Sequence, residues 1–270
     1  MTEHSILETP ETGIWKDGKE PSVVRVLGVP ITFLESAEVL EFVERARDKG
    51  DRTYVVVTNV HSILECRRDP EMLSANVGAT LVLADGVGIS MAARLIAGRN
   101  AGPRIPGPEL MLHLLDQGRA AGLRHYLYGA RPEVLEELSK RLQSLFPGVL
   151  IAGSYSPPFR PLTDSEDERI VEEISSAAPD VVWVGLGAPK QEKWMASHLG
   201  RIRAATMIGV GAAFDYHAGA VPWAPKWIRR AGLEWIHRLV HEPRRIWRRD
   251  LDIPIFVALV CGQKARLTRQ

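Results

Sequence analysis

The feature that most constrains the fold is an alternation of apolar strands with amphipathic helices along most of the chain. Thr53–Thr58, Leu81–Ala84 and Val181–Val184 are apolar or β-branched runs without a helical period, which is typical of strands buried on both faces of a sheet. Helical segments with one apolar face, such as Ser36–Lys49, separate them. The alternation predicts an α/β fold: a mostly parallel, Rossmann-like sheet with helices on both faces and right-handed crossovers.

The predicted elements follow one another without an internal repeat. Strands are expected at Val23–Leu27, Thr53–Thr58, Leu81–Ala84, His125–Tyr128, Val149–Ala152, Val181–Val184 and Ala205–Val210. Helices are expected at Ser36–Lys49, in pieces over His61–Asn76, and at Val87–Ala97, Glu109–Ala121, Pro132–Leu145, Asp164–Ala177 and Pro189–His198.

The composition is that of a soluble globular protein: 270 residues, 45% hydrophobic and 25% charged, long enough for one large α/β domain. Cys66 and Cys261 match no metal or redox spacing and indicate a reducing compartment. The acidic start of the chain lacks the basic and apolar regions of a signal peptide. No apolar run approaches the ~20 residues that a spanning helix needs.

A formal net charge of +1 hides an uneven distribution. The segment 223–249 carries eight Lys or Arg against two Glu, together with four of the seven tryptophans. A basic, tryptophan-rich segment on an acidic body favours an anionic partner, which is a membrane surface, a pyrophosphate or a nucleic acid.

Asp85 follows the strand Leu81–Ala84 directly and precedes Gly86 and Gly88. Ligands of open α/β sheets bind at the carboxyl ends of the strands, and the glycines permit positive φ or the close approach of a phosphate or sugar. The alternative is that Asp85 only caps the helix that starts near Gly88. At this point both interpretations are open.

Three strands end in Gly-x-Gly turns, at Gly86–Gly88, Gly185–Gly187 and Gly209–Gly211. None has the third glycine or alanine of a dinucleotide fingerprint, which disfavours NAD binding. The residues at that position are Met91, Lys190 and Phe214. The three turns fit one ligand whose phosphate lies along the sheet edge on backbone N–H groups.

Two of these turns lead into helix starts with polar residues. The turn at Gly187 is followed by Pro189, Lys190, Gln191 and Glu192. Lys190 can neutralise a phosphate and Gln191 can bond a uracil or a sugar hydroxyl, but an ordinary solvated helical turn explains both as well. After Gly211, Phe214 is either a core residue or a part of the site, and Asp215 is either a cap or a part of the site.

Together these stretches resemble the WecG/TagA/CpsF family of bacterial glycosyltransferases. The motifs that carry the resemblance run in family order over Val23–Arg249, and they are Asp85-Gly86-Val87-Gly88, Arg104-Ile105-Pro106-Gly107, Gly187–Glu192, Gly209–Asp215, Ala224-Pro225-Lys226-Trp227, Leu233–Leu239 and Glu242–Arg245. Their combination is much more specific than any one of them.

The resemblance implies an inverting glycosyltransferase without an Asp-x-Asp metal site and without a cofactor. It would move a sugar from a UDP-sugar to a polyprenyl-pyrophosphate-linked sugar, in the synthesis of exopolysaccharide, capsule or teichoic acid. Inverting transfer needs a base for the acceptor hydroxyl, and Asp85 is the candidate. By resemblance, Asn59, Arg104 and Gln191 are the other active-site residues. Without a metal, arginines and backbone N–H groups must stabilise the departing UDP.

The substrate-binding residues expected from the turns and the resemblance lie at the strand ends. They are Thr58, Gly86, Gly88, Gly107, Gly129, Gly187, Pro189, Lys190, Glu192, Gly211, Phe214 and Asp215. One position departs from the family pattern, because relatives commonly carry Thr two residues before Asn59, where this chain has Val57 with Thr58 beside it. Either Thr58 substitutes or the hydrogen bond is absent, and the donor stays open between an N-acetylmannosamine type and glucose.

The C-terminal segment has apolar residues at helical spacing from Ile228 to Leu239. It is either a helix docked on the body or an amphipathic appendage at the membrane interface, and one sequence can serve both. By resemblance, the residues that contact the acceptor pyrophosphate or the membrane are Arg238, Arg245, Arg248, Trp227 and Trp235. We predict a flexible leader (1–22), a Rossmann-like catalytic domain (23–222) and a basic appendage (223–270), with the protein peripheral on the cytoplasmic face of the membrane.

Other functions have weaker support. His237 and His241 stand one helical turn apart but lack a third metal ligand, and the only Asp-x-Asp, at Asp250–Asp252, follows arginines instead of a buried strand. Interleaved Trp and Leu favour a membrane over nucleic acid. The main alternative is a non-catalytic nucleotide-sugar-binding or scaffold protein of the same fold. The presence of both Asp85 and Arg104 favours the enzyme, because a binding module has no need of a base. The resemblance also suggests a homo-oligomer.

Overall fold

The computed structural model describes residues 21–98, 102–230, 234, 237, 240 and 252–269. The strands are β1 (Ser22–Val26), β2 (Val29–Phe33), β3 (Thr53–Thr58), β4 (Leu81–Ala84), β5 (Arg124–Gly129), β6 (Leu150–Tyr155), β7 (Val181–Gly185) and β8 (Thr206–Gly209). The helices are α1 (Ser36–Lys49), α2 (Val60–Arg68), α3 (Pro70–Val77), α4 (Val87–Ala97), α5 (Gly107–Gln117), α6 (Pro132–Leu145), α7 (Asp164–Ser176), α8 (Lys190–His198), α9 (Ala213–His217), α10 (Lys226–Arg230) and α11 (Asp252–Thr268).

The strands form one sheet in the order β1-β2-β4-β3-β8-β7-β5-β6. All neighbouring pairs are parallel except β1 and β2, which form an antiparallel hairpin at one side of the sheet. The predicted α/β class, with a mostly parallel sheet between helices, is confirmed.

The hairpin of β1 and β2 is the part of the sheet that the sequence pattern did not predict. Its turn is Leu27-Gly28, and both residues have positive φ. Leucine is rare in that conformation, so the turn carries none of the usual Asn-Gly or Gly-Gly signals. Pro30 in β2 also argues against a strand on sequence grounds, because proline cannot donate to a neighbouring strand.

Apolar side chains fill a layer on each face of the sheet. One layer packs the sheet against α2, α3, α4, α7, α8 and α11, and the other against α1, α5, α6 and α9. Residues of β3 alternate between the layers, so that Val56 belongs to the first and Val57 to the second. This alternation decides which face of the sheet each side chain of β3 points to.

Helix boundaries follow the local capping chemistry. The predicted helical stretch His61–Asn76 is divided at Asp69, whose carboxylate accepts hydrogen bonds from the backbone N–H groups of Glu71 and Met72 and caps α3. Pro70 occupies the first turn of α3, where its missing N–H costs nothing. Helices α1, α4 and α6 have the bounds predicted from the sequence.

Helix α11 packs on α2 and α4 through the buried side chains of Phe256 and Val260. Its Gln263 donates to the carbonyl oxygen of Arg25 and accepts from the N–H of Leu27, which ties the helix to the hairpin. None of the described helices combines the length with the apolar composition that spanning a bilayer requires.

Candidate active site

The carboxyl ends of β4, β3, β8 and β7 are neighbours at one edge of the sheet. A cavity of about 250 Å³ opens there, which we call the first cavity. Strand ends, helix starts and residues from the segment after α9 line it. The lining includes Val57, Asn59, Asp85, Gln191, Tyr216, Trp223, Glu234 and His237.

Asp85 leaves β4 at this edge. Its backbone N–H donates to the carbonyl oxygen of Thr58 (2.9 Å), and its Oδ1 accepts from the N–H of Gly107, the first residue of α5 (3.1 Å). Gly86 precedes α4 and the helix has no side-chain cap, so capping of α4 does not explain Asp85. The carboxylate lies at the N-terminal end of α5, where the helix dipole stabilises negative charge.

The position that departs from the family pattern lies at the end of β3. Val57 lines the first cavity, whereas the side chain of Thr58 is fully buried, and its hydroxyl has no partner among the described residues. Successive strand residues point to opposite faces, so Thr58 does not take the place of a hydroxyl at position 57. Asn59 lines the cavity and also caps α2, accepting from the N–H of Ser62 at 3.1 Å.

The side chain of Gln191 connects the start of α8 to the turn that follows β8. Its Oε1 accepts from the N–H of Gly211 at 3.0 Å, and its Nε2 donates to Oε1 of Glu192 at 3.1 Å. Glu192 itself is completely buried and lines neither cavity described here, and burial raises the pKa of its carboxyl group. Glu192 therefore lies behind Gln191 and not in the position of a direct substrate ligand.

Arg104 stands in the loop before α5, and its guanidinium contacts the C-terminal segment. Nη1 lies 3.5 Å from Oε1 of Glu234, and Nη2 donates to the backbone carbonyl oxygen of Arg229. Burial raises the pKa of Glu234, the negative charge of Asp85 adds to that effect, and Arg104 opposes it. The sequence interpretation gave Glu234 no role in the site: it counted this glutamate in the charge balance of the basic segment and within the Leu233–Leu239 motif.

Trp223 and its neighbours form the wall of the first cavity opposite the strands. The guanidinium of Arg229 stacks 3.7 Å above the ring of Trp223 and pairs with Glu109 of α5. Trp223 also stacks on Tyr216 and meets His217 edge to face. His217 bonds the carbonyl oxygen of Pro108 (3.0 Å), and burial lowers the pKa of its imidazole to about 4, so the ring is neutral.

A second cavity, of about 780 Å³, adjoins the first one. The two share the turns around Gly187 and Gly211 as a common wall. Arg131 and Lys190 bring positive charge to the second cavity, and Trp194 stacks on Tyr128 with ring centroids 4.2 Å apart along its lining. Arg160 and the carboxylates of Asp167 and Asp215 also line it, so cations outnumber carboxylates by one. An aromatic-lined space with this excess of cations suits the anionic part of a ligand whose uncharged part reaches the first cavity.

Two of the glycines at this edge are required by close packing. A Cβ on Gly129 would lie 2.6 Å from the carbonyl carbon of Gly185, and a Cβ on Gly185 would lie 2.7 Å from the ring of Phe214. Phe214 is buried, so it belongs to the core that supports the turn and does not line either cavity. The geometry therefore favours the interpretation of Phe214 as a core residue.

The comparisons with known proteins agree with this geometry. Residues 24–270 match the glycosyl transferase WecG/TagA/CpsF family. The chain belongs to this family. Its relatives include the N-acetylglucosaminyldiphosphoundecaprenol N-acetyl-β-D-mannosaminyltransferase of Bacillus spizizenii, 33% identical over 235 residues, with 85% of this chain and 88% of the relative covered. The enzyme of the same name from Staphylococcus aureus strain MW2 is 29% identical over 248 residues, with 91% and 95% covered.

Within this WecG/TagA/CpsF chain, the structure brings half of the expected catalytic and substrate-binding residues to the two cavities, and Arg104 lines neither of them. Asp85, Asn59, Gly107 and Gln191 line the first cavity; Lys190 and Asp215 line the second; and Gly187 and Gly211 line both. Pro189 immediately precedes α8 instead of starting it. Gly88 packs against Val60, since a Cβ there would lie 2.8 Å from that side chain, whereas the position of a Cβ on Gly86 is open.

The residues expected at the pyrophosphate or the membrane are only partly described. Trp227 lies on α10 with 69% of its surface exposed. Trp235, Arg238, Arg245 and Arg248 lie outside the described residues. His237 lines the first cavity, and its candidate partner His241 also lies outside the described part. Among the described residues no group of three or more His, Cys, Asp or Glu is arranged to hold a metal ion.

Proposed function

We propose that this protein transfers a sugar from a UDP-sugar, with inversion, to a saccharide carried on a polyprenyl diphosphate, in the synthesis of a cell-surface polysaccharide. The observation that carries the proposal is the position of Asp85: a carboxylate at the carboxyl edge of the sheet, lining a cavity and held by the N–H of Gly107. The relatives from B. spizizenii and S. aureus, named for transfer to a diphosphoundecaprenol-linked sugar, support the acceptor class.

The two cavities suggest how the donor lies. We assign the UDP part to the second cavity, where Arg131 and Lys190 face the diphosphate and the Tyr128–Trp194 stack lies along the same lining. The sugar then extends past the common wall of Gly187 and Gly211 into the first cavity, while the diphosphate stays in the second cavity. This orientation places the anomeric carbon on the Asp85 side.

The chemistry is a single displacement. The Asp85 carboxylate accepts the proton of the acceptor hydroxyl as that oxygen forms a bond to the anomeric carbon. The bond from the anomeric carbon to the β-phosphate oxygen breaks on the opposite face, its electron pair leaves with UDP, and the configuration inverts. Arg104, together with the cations of the second cavity, stabilises the charge that develops on UDP. We propose that these groups suffice without a divalent metal.

Val57 bears on the choice of donor. It gives the first cavity an apolar wall next to Asn59, which suits the methyl group of an N-acetyl substituent. The names of the relatives point the same way. We therefore place UDP-N-acetylmannosamine first among the donors and UDP-glucose second.

We also propose that the protein works on the membrane surface. Val87, Met91 and Leu95 are exposed at four-residue spacing along α4, so they share one face of that helix. Helix α11 packs beside α4 and exposes Ile255 and Val257. Apolar positions on adjacent helices, with basic residues at the end of α11, are suited to the headgroup region of an anionic membrane.

The test is transfer of a radiolabelled sugar from a panel of UDP-sugars to a synthetic polyprenyl-diphosphoryl N-acetylglucosamine, with and without EDTA. Transfer from one donor, with inverted configuration in the product and unchanged rate in EDTA, is the expected result. UDP binding without transfer to any lipid-linked acceptor would favour a nucleotide-sugar-binding or scaffold protein. Loss of activity in EDTA with rescue by Mn²⁺ would overturn metal independence.

A further inference from the structure

The guanidinium of Arg104 is held by groups that come from the C-terminal segment. Nη1 faces Glu234 at 3.5 Å, and Nη2 donates to the backbone carbonyl oxygen of Arg229. Arg104 itself is carried by the loop before α5 of the body. There, the N–H of the next residue, Ile105, bonds to the carbonyl oxygen of Ala84 (2.7 Å), beside Asp85.

The part of the C-terminal segment that carries these groups is docked on the body. Ala224 is buried, and the buried guanidinium of Arg229 lies between the ring of Trp223 and the carboxylate of Glu109. These contacts fix the carbonyl of Arg229, and Glu234 lies at the wall of the first cavity.

Glu234 stands between two charges of opposite sign. Asp85 repels its negative charge and Arg104 attracts it. At 3.5 Å the contact with Arg104 is an ion pair longer than an ordinary hydrogen bond. A guanidinium has five N–H donors in a rigid plane, so two contacts can fix its orientation and leave other donors for an oxygen of the substrate.

From these contacts we propose that Glu234 is a positioning residue: its carboxylate, at the wall of the first cavity, fixes the orientation of the Arg104 guanidinium. The proposal rests on the proposed transferase function for its kinetic consequence. The contact itself, between Arg104 and the segment, is independent of that function and can be tested without substrate.

A double-mutant cycle tests the kinetic part. Glu234→Gln keeps the size of the side chain and removes its charge, and we expect kcat/KM to fall by about 10-fold or more, as for loss of a charge-assisted contact. Glu234→Asp keeps the charge and should lose less. In an Arg104→Gln background, Glu234→Gln should cause no further loss. Independent effects that multiply in the double variant would overturn the proposal.

Hydrogen–deuterium exchange of the same variants tests the contact without substrate. Amides 226–230 should exchange faster in both Glu234→Gln and Arg104→Gln, and the double variant should match the single ones. The control is Glu71→Gln, which removes an exposed partner of Lys193 far from the segment and should leave exchange and transfer unchanged. Unchanged exchange in both Arg104 and Glu234 variants would overturn the proposal. Altered exchange in a protein without transferase activity would instead contradict the proposed function.

Discussion

Oε1 of Gln191 accepts a hydrogen bond of 3.0 Å from the backbone N–H of Gly211, and this contact joins the start of α8 to the turn after β8. The other end of the amide donates to the buried Glu192. Both the oxygen and the nitrogen of the amide are therefore fixed, and the amide group cannot flip without breaking two hydrogen bonds. The wall shared by the two cavities depends on this arrangement, because Gly211 lines both of them.

Replacement of Glu192 should separate stability from activity. Burial favours the neutral carboxyl, so Glu192→Gln keeps an acceptor for Gln191 and should retain transfer within about threefold of the original rate. Glu192→Leu removes a buried, partly unsatisfied polar group together with that acceptor. The free energy of unfolding should then change by no more than about 1 kcal/mol, while kcat/KM falls about 10-fold. Urea unfolding and steady-state kinetics provide the two readouts. Native kinetics in Glu192→Leu would show that Gln191 needs no such support.

The assignment of UDP to the second cavity predicts the effect of its cations. Lys190→Ala and Arg131→Ala should each weaken UDP binding about 10-fold, because each removes one charged contact with a phosphate. Titration calorimetry at two salt concentrations measures this. The control is Lys140→Ala, which removes an exposed lysine paired with Glu136 on α6. If both cavity variants bind UDP as tightly as the control, the nucleotide lies elsewhere.

Buried histidines predict a loss of stability in acid. Burial lowers the pKa of His125 to about 4, and its Nδ1 accepts from the indole N–H of Trp183, which disfavours a proton on that nitrogen. The unfolded state takes up a proton near pH 6.5 and the folded state does not, so stability falls as the pH decreases through the window between 6.5 and 4. The slope from this one histidine is about 1.4 kcal/mol per pH unit.

The variant His125→Asn keeps an acceptor for Trp183 and cannot titrate. Urea unfolding at pH 7.5, 6.5 and 5.0 should show a smaller loss for this variant, by about 2 kcal/mol between the last two values. His217 contributes the same kind of slope in both proteins and cancels in the comparison. Parallel pH profiles would mean that His125 is protonated in the folded state.

If α11 contacts the membrane, a charge placed on its exposed apolar face should weaken the binding of the protein to vesicles. Val257 is 53% exposed, and Val257→Asp should leave the fold intact and weaken sedimentation with anionic vesicles, because a charge replaces an apolar contact. Leu145 on α6 is 58% exposed and belongs to the other face of the sheet, so Leu145→Asp is the matched control. Equal vesicle binding by the two variants would show that α11 does not contact the membrane.

Much of the fold could be predicted because buried parallel strands and amphipathic helices leave separate periodicities in the sequence. Asp85 and Gln191 were predicted at one edge because carboxyl ends of parallel strands meet there, whereas Asn59 was expected in the site only from the family resemblance. The hairpin was not predicted, since Leu27 gives no turn signal. Helix α11 was not predicted either, because an element apolar on nearly all sides has little periodicity to detect. Glu234 and Trp223 reach the first cavity only through tertiary contacts of the C-terminal segment, and no local pattern encodes those.

The most direct test of the account is sugar transfer by Asp85→Asn. The asparagine Oδ1 can still accept the hydrogen bond from Gly107, so the variant should fold and bind UDP like the original protein. It cannot take the proton of the acceptor hydroxyl, and the rate of transfer to the lipid-linked acceptor should fall about 100-fold or more. Transfer near the original rate by a folded, UDP-binding Asp85→Asn protein would contradict the assignment of the base and the chemistry built on it.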